Sequence, residues 1–350
     1  MKLKILFITI TALLIYSCEN DDIPDFEPLG DYQYGLLITN QGPFNNGFGS
    51  VSYVDPNLSE AENTIFQNVN EDNLGNVINA IGFYENKAYV VANVSNRITV
   101  VDRFTFTEMG RIEDGLNNPR FFQAVNGKGY VSNWGDPNNP SDDYIAVIDL
   151  DTNEIIKEIT VSEGPEKIAR AGSVVYVLHQ GGYNVNNEVS VIDTLSDEII
   201  STLSIGDVPN SYDFDAQGNL WILSGGAPSY TGEETNGSIS VISTTSNEVS
   251  ETFNFDTTVH PSALNIENGN VYYYNNGEVY EGNSFDFEVP TESILSGLNF
   301  FNMKVSGNAI LGVDAGDFNS NGELVIYNLS SLRIFNTIEL GVIPDQIYLN

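Results

Sequence analysis

The sequence 188–212, EVSVIDTLSDEIISTLSIGDVPNSY, contains the pattern that decides the fold. Val189, Val191 and Asp193 alternate with Ser190 and Ile192 as in a half-buried strand. A polar turn at 195–197 precedes a second strand at 199–203. Residues 206–209 then end this sheet, because glycine allows unusual backbone dihedral angles and proline lacks the N–H that a strand ladder requires. The stretch therefore contains the end of one small sheet and the start of the next.

Versions of this pattern recur from residue 32 to residue 350. We name the four strands of the repeat A to D, from the innermost outward. Strand C recurs roughly every 40 to 50 residues, the length of one four-stranded blade, at 51–55, 98–102, 146–149, 189–193, 239–243, 278–281 and 324–328. Strand B precedes it at 36–40, 88–93, 129–133, 174–179, 220–224, 271–274 and 309–314. Seven such units predict an all-β fold, a seven-bladed β-propeller over residues 32–350.

The two ends of this region are predicted to share one blade. Strand A opens at a proline or asparagine in each repeat, at Asn79, Pro119, Pro165, Pro209, Pro261, Asn299 and Pro344. The last strand A has no strand B after it, and the first strand B has no strand A before it. Pairing 346–349 with the first blade closes the ring and removes two exposed sheet edges. The sixth repeat, 261–289, has the weakest pattern, and its outer strand is the least defined.

The charge balance excludes one class of partner. The chain has 48 acidic and 13 basic residues, a formal net charge of -35. Such a charge repels phosphate backbones and anionic membrane surfaces, so nucleic acid is excluded. A solvated acidic surface and a set of cation-binding loops are both compatible with it.

The N-terminus resembles a bacterial lipoprotein signal. Lys2 and Lys4 precede an apolar run at 5–16 that is short for a membrane span, and a small residue comes just before Cys18, the only cysteine. This resemblance implies a signal peptide at 1–17 and a lipidated Cys18. An uncleaved membrane anchor and ordinary secretion are the alternatives.

Residues 18–31 are predicted to form an acidic tether without a core of its own. The acidic run 19–22 looks like the surface-export signal of Bacteroidetes lipoproteins. That likeness implies a lipid-anchored protein on the outer membrane, facing the exterior.

The repeats also carry a family resemblance. Tyr89 to Asn93, Tyr130 to Asn133 and Tyr176 to His179 look like the YVTN-type propeller repeat, and 37–42 reads LITNQG. With the lipoprotein start, the chain is similar to the surface propeller lipoproteins of Bacteroidetes that capture cobalamin (vitamin B12). The resemblance implies binding of cobalamin or a related corrinoid and its delivery to a TonB-dependent outer-membrane transporter, with no required cofactor.

Candidate ligand-binding residues lie on the face where B–C loops and D–A connections meet, since long loops on a rigid scaffold concentrate binding residues. Aromatic loop residues supply contact area, and amides donate and accept. The candidates are Asn40, Phe44, Asn93, Arg120, Asn133, Trp134, His179, Tyr183, Tyr212 and Tyr230, with Phe48 and Phe318 as further loop aromatics. A packing role for each ring, an ion pair for Arg120 and a structural imidazole for His179 are the alternatives.

A calcium loop is a further hypothesis. Asp317, Asn319, Asn321 and Gly322 fit the first half of a D-x-[DN]-x-[DN]-G pattern, with Glu323 adjacent. The second half departs from the pattern, because Asn328 occupies the position of the bidentate glutamate. A polar hairpin loop is the alternative, and Asp136, Asn138, Asp142 and Asp143 form a looser acidic cluster.

Enzyme chemistry finds little support in the sequence. His179 and His260 are the only histidines, which excludes a multi-histidine metal site. We therefore expect a binding protein that acts as a monomer apart from its transporter. The alternatives are a propeller that binds surface glycans or proteins and a lactonase-like or lyase-like enzyme.

Overall fold

Seven antiparallel sheets of four strands each follow one another along the chain and form the blades of a propeller. The computed structural model describes residues 28–44, 47–136, 138–256 and 258–350. The predicted signal peptide, Cys18 and most of the tether lie outside the described residues. The all-β fold and the seven blades predicted from the repeats are confirmed.

The strands follow the predicted A to D order. Blade 1 contains β1 (Leu36–Asn40), β2 (Ser50–Val54) and β3 (Ala61–Glu62), and blade 2 contains β4 (Ile78–Tyr84), β5 (Lys87–Ala92), β6 (Arg97–Asp102) and β7 (Glu108–Ile112). Blade 3 contains β8 (Pro119–Val125), β9 (Lys128–Asn133), β10 (Tyr144–Asp149) and β11 (Glu154–Thr160). Blade 4 contains β12 (Pro165–Ala171), β13 (Val174–His179), β14 (Glu188–Asp193) and β15 (Glu198–Ser204).

The remaining blades keep this order. Blade 5 contains β16 (Pro209–Phe214), β17 (Leu220–Ser224), β18 (Ser238–Ser243) and β19 (Glu248–Asn254). Blade 6 contains β20 (Ser262–Glu267), β21 (Asn270–Asn275), β22 (Glu278–Asn283) and β23 (Ser293–Ser296). Blade 7 contains β24 (Asn302–Ser306), β25 (Ala309–Asp314), β26 (Asn321–Asn328) and β27 (Arg333–Val342), and β28 (Pro344–Leu349) completes blade 1.

The predicted closure of the ring is confirmed. Strand β28 pairs with β1, with Leu349 opposite Leu36 and Ile347 opposite Ile38. Two sheet edges that would otherwise be unpaired are joined, so the first and last strands stabilise each other.

Several strand boundaries differ from the prediction, among them two in blades 6 and 7. The inner strand of blade 7 begins at Asn302 rather than Asn299, because its pairing with β25 starts only where Asn302 lies opposite Val313. The outer strand of blade 6, β23, lies beyond the predicted limit of that repeat at residue 289.

Helical structure is limited to two short segments in the described part of the chain. The α-helix α1 (Ile65–Asn70) connects β3 to β4 and buries Ile65 and Phe66, and a single 3-10 turn spans Ser229–Thr231. No described helix is both long enough and apolar enough to cross a bilayer.

The core consists of apolar layers between neighbouring blades. Between blades 2 and 3, Tyr89 stacks on Phe122 with ring centroids 4.6 Å apart. Ile148 is fully buried in the same layer. Buried aromatic and aliphatic side chains of this kind provide the main driving force for assembling the ring.

A β-bulge near the start of strand A positions side chains at the centre of the ring. In blade 3, Pro119 pairs with Asn133 and Phe122 with Val131, so two residues of strand A oppose one residue of strand B. The inner-strand pairings of blades 1, 2, 4, 5 and 6 contain a similar irregularity. A bulge re-aims side chains locally, so consecutive residues such as Glu166 and Lys167 both reach the central region.

Candidate ligand-binding face and central channel

The polar residues at the ends of the B strands are structural. Asn40 and Asn133 are fully buried. The Asn40 amide donates to the hydroxyl of Ser52 at 2.8 Å, and the Asn133 amide donates to the Val131 carbonyl at 2.9 Å. The buried Asn93 amide donates to the Pro119 carbonyl of the next blade at 3.0 Å. These buried amides hold strands and blades together, and a contact of the three residues with a ligand stays a prediction.

His179 occupies the equivalent position at the end of strand B in blade 4 and is also fully buried. Its Nε2 lies 2.8 Å from the hydroxyl of Ser190. Burial lowers the pKa of His179 to about 4, partly offset by the nearby Glu188 carboxylate. The imidazole is therefore neutral at physiological pH and offers no exposed atom to a ligand, which favours the structural alternative.

Arg120 lies in a buried cluster between blades 3 and 4. Its Nε and Nη2 donate to the two carboxylate oxygens of Glu166 at 2.8 and 2.7 Å. Its guanidinium also lies 4.1 Å from the centroid of the Trp134 ring. The predicted alternative, an ion pair, is the arrangement observed, and the bidentate geometry is the strongest form of such a pair.

Trp134 is held in one orientation at the same place. Its indole N–H donates to the Pro165 carbonyl at 2.9 Å. Tyr183 packs edge-on against it with ring centroids 6.3 Å apart, and its own side chain is 72% exposed. The structure thus brings together Arg120, Trp134 and Tyr183 as a fixed base with one exposed ring above it.

Exposed aromatic side chains concentrate on this loop face. Among the described residues, nine phenylalanine and tyrosine side chains are exposed: Tyr34, Phe44, Phe48, Tyr183, Tyr230, Phe285, Phe301, Phe318 and Phe335. Six of them lie in B–C loops or D–A connections, namely Phe44, Phe48, Tyr183, Tyr230, Phe301 and Phe318. Of these six, only Phe301 was not among the sequence candidates. Its position directly before strand A of blade 7 was the available signal.

The A strands enclose a central channel. All seven contribute to a cavity of about 430 Å³. Tyr212 lies in its wall rather than on the loop face, and its hydroxyl donates to the Ile168 carbonyl at 2.8 Å. Sequence reasoning placed Tyr212 among the loop-face candidates and missed Lys167, Lys304 and Tyr348, which also line the channel.

Side chains close the ring from blade to blade around this channel. The Tyr348 hydroxyl accepts the backbone N–H of Ile81 at 3.0 Å, which joins blade 1 to blade 2. The Asn265 side chain accepts the N–H of Val305 at 3.1 Å, which joins blade 6 to blade 7. Buried polar groups that are satisfied in this way rigidify a structure, so the channel is a preformed cavity.

The residues proposed to bind calcium do not all lie in one loop. Asp317 accepts backbone N–H groups from Asn319 and Ser320 at 3.0 and 2.7 Å, which lowers its pKa. Asn321 lies in strand β26 and donates to Glu339 at 3.1 Å, and Glu323 lies in the same strand, opposite Asp314. Within the described ranges, no three acidic, histidine or cysteine side chains are placed to share a metal ion. The calcium loop stays a prediction.

The acidic cluster after β9 surrounds a buried carboxyl group. Asp143 is 3% exposed, and its Oδ2 accepts the Gly164 N–H at 2.5 Å. Burial raises the pKa of Asp143 to about 6, and repulsion from Asp142 and Glu163 adds to this rise. The Asp143 carboxyl group therefore resists ionisation mainly because it is buried, and the acidic neighbours add to this effect.

These features define a seven-bladed β-propeller with an aromatic loop face and a preformed central channel. Residues 34–227 match the family described as "Domain of unknown function (DUF5074)". The match covers more than half of the chain, so the protein belongs to this family. It extends over the first strands of the ring, from β1 to the end of β17.

Solved structures share the fold at low sequence identity. Hydrazine synthase of Kuenenia stuttgartiensis is 18% identical with a TM-score of 0.52, over 72% of this chain and 77% of that chain. BamB from Moraxella catarrhalis is 17% identical with a TM-score of 0.52, over 87% and 82%. The computationally designed Ika8 protein is 12% identical with a TM-score of 0.57, over 87% of both chains. No curated protein matches the chain. These likenesses concern the fold alone.

Proposed function

We propose that this protein is a binding protein, not an enzyme, that captures cobalamin or a related corrinoid on its loop face and passes it to a TonB-dependent outer-membrane transporter. The observation that carries the proposal is the concentration of six exposed aromatic side chains on one face of the ring. A corrin is a broad apolar disc fringed with amides. Flat rings supply contact area to such a disc at low entropic cost, and the many loop asparagines complement the amides.

The base of this face is preorganised. Arg120, Glu166 and Trp134 are fixed by hydrogen bonds and stacking, so a ligand does not have to order them on binding. Preorganisation increases affinity by lowering the entropic cost of association, and it acts mainly by slowing ligand release. The exposed Tyr183 is the part of this cluster that remains available for contact.

The two histidines are the reason for proposing a binding protein rather than an enzyme. The buried His179 is neutral, and its Nε2 already lies at hydrogen-bond distance from Ser190. His260 has its Nδ1 2.7 Å from the Gly225 carbonyl and its Nε2 3.2 Å from Glu234. Both imidazoles therefore have partners within the fold. An enzyme that used histidine as a general base would need an imidazole that is free to take up a proton.

Lipid attachment at Cys18 completes the proposal by placing the propeller on the exterior of the outer membrane. A Cys18→Ser variant expressed in a bacterium with a lipoprotein export pathway should lose membrane association, whereas the wild type should fractionate with the outer membrane. Retention of the variant in the outer-membrane fraction would contradict anchoring through this residue.

Calorimetry with cyanocobalamin tests the ligand. We expect one-to-one binding to the purified protein, and Tyr183→Ala should weaken it at least about tenfold, because interface aromatics commonly carry more than 1.4 kcal/mol. Phe285→Ala is the matched control, since this ring is 68% exposed but lies in a C–D connection on the opposite face.

Three outcomes would contradict the proposal in whole or in part. Absence of binding to cyanocobalamin and cobinamide would exclude corrinoids. Binding of surface glycans instead, weakened by Tyr183→Ala, would leave the face as the binding site with a different ligand class. Equal weakening by Phe285→Ala would exclude the loop face.

A further inference from the structure

The central channel contains two lysines without a partner. Lys167 and Lys304 line the cavity, and among the described residues neither makes a hydrogen bond or an ion pair. The three other described lysines all have partners: Lys87 donates to the Leu150 carbonyl at 2.9 Å, Lys128 to Asp197 at 2.6 Å and Lys157 to the Ser196 carbonyl at 3.2 Å. In a chain with so few cations, two unpaired ones in a single cavity require an explanation.

The carboxylates around the channel do not supply the missing partners. Glu166 is held by both nitrogens of Arg120. Asp213 accepts the backbone N–H of Ile266 at 2.9 Å. Asp345 accepts three side-chain amide groups at 2.7 to 3.1 Å. Glu166 is paired with a cation, whereas Asp213 and Asp345 accept only neutral N–H groups. Among the described residues no carboxylate is in direct contact with either ammonium group.

The position of Lys167 is costly for a charged group. Burial lowers the pKa of Lys167, Asp345 and Glu166 raise it in part, and Lys304 lowers it further. Lys167 is half-buried, and a partly desolvated charge without a direct partner is unfavourable. An oxyanion between the two lysines would supply that partner and would remove the repulsion between them.

Aromatic rings form one part of the wall, and polar residues such as Gln123, Asn302 and Gln346 form another. The Lys167 ammonium lies 5.7 Å from the centroid of the Phe121 ring, and Phe83, Tyr212 and Tyr348 also line the cavity. The two tyrosine hydroxyls already bond to the backbone of other blades. The volume of about 430 Å³ lies within the range of small-molecule pockets, which combine apolar walls with a few polar groups.

We propose that the channel is a second binding site, for a small organic anion whose carboxylate or phosphate group lies between Lys167 and Lys304 and whose apolar ring packs against the aromatic wall. This site is separate from the loop face and does not depend on the corrinoid proposal. It would allow the propeller to bind a small anion and a large surface ligand at the same time.

Calorimetry with benzoate, phenyl phosphate and inorganic phosphate tests this site. We expect one-to-one binding of benzoate or phenyl phosphate, with inorganic phosphate binding more weakly because it lacks the apolar ring. Lys304→Met and Lys167→Met should each weaken binding at least about tenfold, since a hydrogen bond to a charged group contributes more than one such factor. Lys157→Met, on the outer strand β11, removes the same charge from outside the channel and should leave binding unchanged.

A measurement on the wild type covers the case in which a lysine variant fails to fold. Protein labelled with carbon-13 lysine gives resolved signals for the few lysines of the chain. We expect phenyl phosphate or benzoate to shift the signals of Lys167 and Lys304 and to leave those of Lys87, Lys128 and Lys157 in place.

The outcomes separate the two sites. No binding of any of the three anions at millimolar concentration, or binding that survives both channel variants, would overturn the channel proposal. Shifts confined to lysines outside the channel would do the same. Tyr183→Ala should leave anion binding intact, so a failure of the corrinoid proposal and a failure of this one are distinguishable.

Discussion

The ends of the B strands and the loops that follow them lie on the same face of the propeller but differ in exposure. Asn40, Asn133 and His179 are fully buried and have hydrogen-bond partners within the protein. Tyr183 and Tyr230, in the loops that follow β13 and β17, are 72% and 86% exposed. The strand ends therefore hold the blades, and the loops provide the exposed surface of this face.

This difference separates two kinds of substitution. A change in the buried set should alter stability and leave the loop surface in place. A change in the exposed set should alter binding and leave stability almost unchanged. A residue that alters both would show that the division is wrong at that position.

Arg120→Met should have the largest effect on stability. The side chains of Arg120 and Glu166 are 17% and 8% exposed, and the substitution leaves the Glu166 carboxylate buried without its partner. Removal of one member of a buried pair costs about 3 to 5 kcal/mol. Urea denaturation at neutral pH measures this loss in the free energy of unfolding.

The double variant Arg120→Met/Glu166→Gln is the control for Arg120→Met. It removes both charges, so it should recover much of the stability lost in the single variant, because a neutral amide is less costly to bury than a carboxylate. If Arg120→Met left the free energy of unfolding unchanged, the pair would be dispensable for the ring. A role for Arg120 in direct contact with ligand would then be favoured again.

Ile148→Ala tests the layers between blades. This side chain is fully buried between blades 2 and 3. Its truncation should cost about 2 to 5 kcal/mol, the usual range for a large apolar residue in a core. Corrinoid binding to the fraction that remains folded should be unchanged. An unaltered denaturation midpoint would contradict the assignment of strand C of blade 3 to the core.

The sequence predicted the scaffold better than it predicted the site, for a physical reason. The pattern of strands and turn residues repeats seven times, so an ambiguous strand in one repeat can be assigned from the other repeats. The ring closure follows because the last strand A and the first strand B each lack a partner. The same repetition does not reveal the site, because the sequence pattern is identical for an asparagine at the end of strand B that faces solvent and for one that faces the next blade. The partner that distinguishes these cases, such as Pro119 for Asn93, comes from a neighbouring blade.

The channel shows the same limit. Lys167 directly follows Glu166, and strict alternation would place them on opposite sides of the strand. The bulge in β12, between the pairs Pro165–His179 and Ile168–Val177, brings both to the central region. A bulge depends on pairing with strand B, so single-strand patterns did not predict it.

His179→Asn should change the free energy of unfolding by an intermediate amount that depends on pH. The folded-state pKa of about 4 lies below the ordinary value of 6.5. The unfolded chain therefore binds more protons between these values, and His179 lowers stability by about 1.4 kcal/mol per unit as the pH falls through this window. Asparagine occupies the same slot in blades 1 to 3. The variant should therefore gain stability relative to the wild type as the pH falls from 6.5 to 4, measured by urea denaturation at each pH.

Asp143 determines how that measurement is made. Its raised pKa of about 6 means that the folded state binds more protons between 3.8 and 6, so Asp143 adds stability as the pH falls through this window. The two groups oppose each other in the wild type. The difference between His179→Asn and wild type isolates the imidazole, and a difference that does not vary with pH would show that His179 titrates normally.

Tyr230→Ala should have the smallest effect on stability and still affect binding. Tyr230 lies in the short 3-10 turn Ser229–Thr231, and its ring is 86% exposed. Surface substitutions of this kind change the free energy of unfolding by less than about 0.5 kcal/mol. If the ring contacts the corrinoid, affinity for cyanocobalamin should fall while the denaturation midpoint stays at the wild-type value. Unchanged affinity would place the contact surface nearer Tyr183 and the base formed by Trp134, and would exclude the blade 5 loop from it.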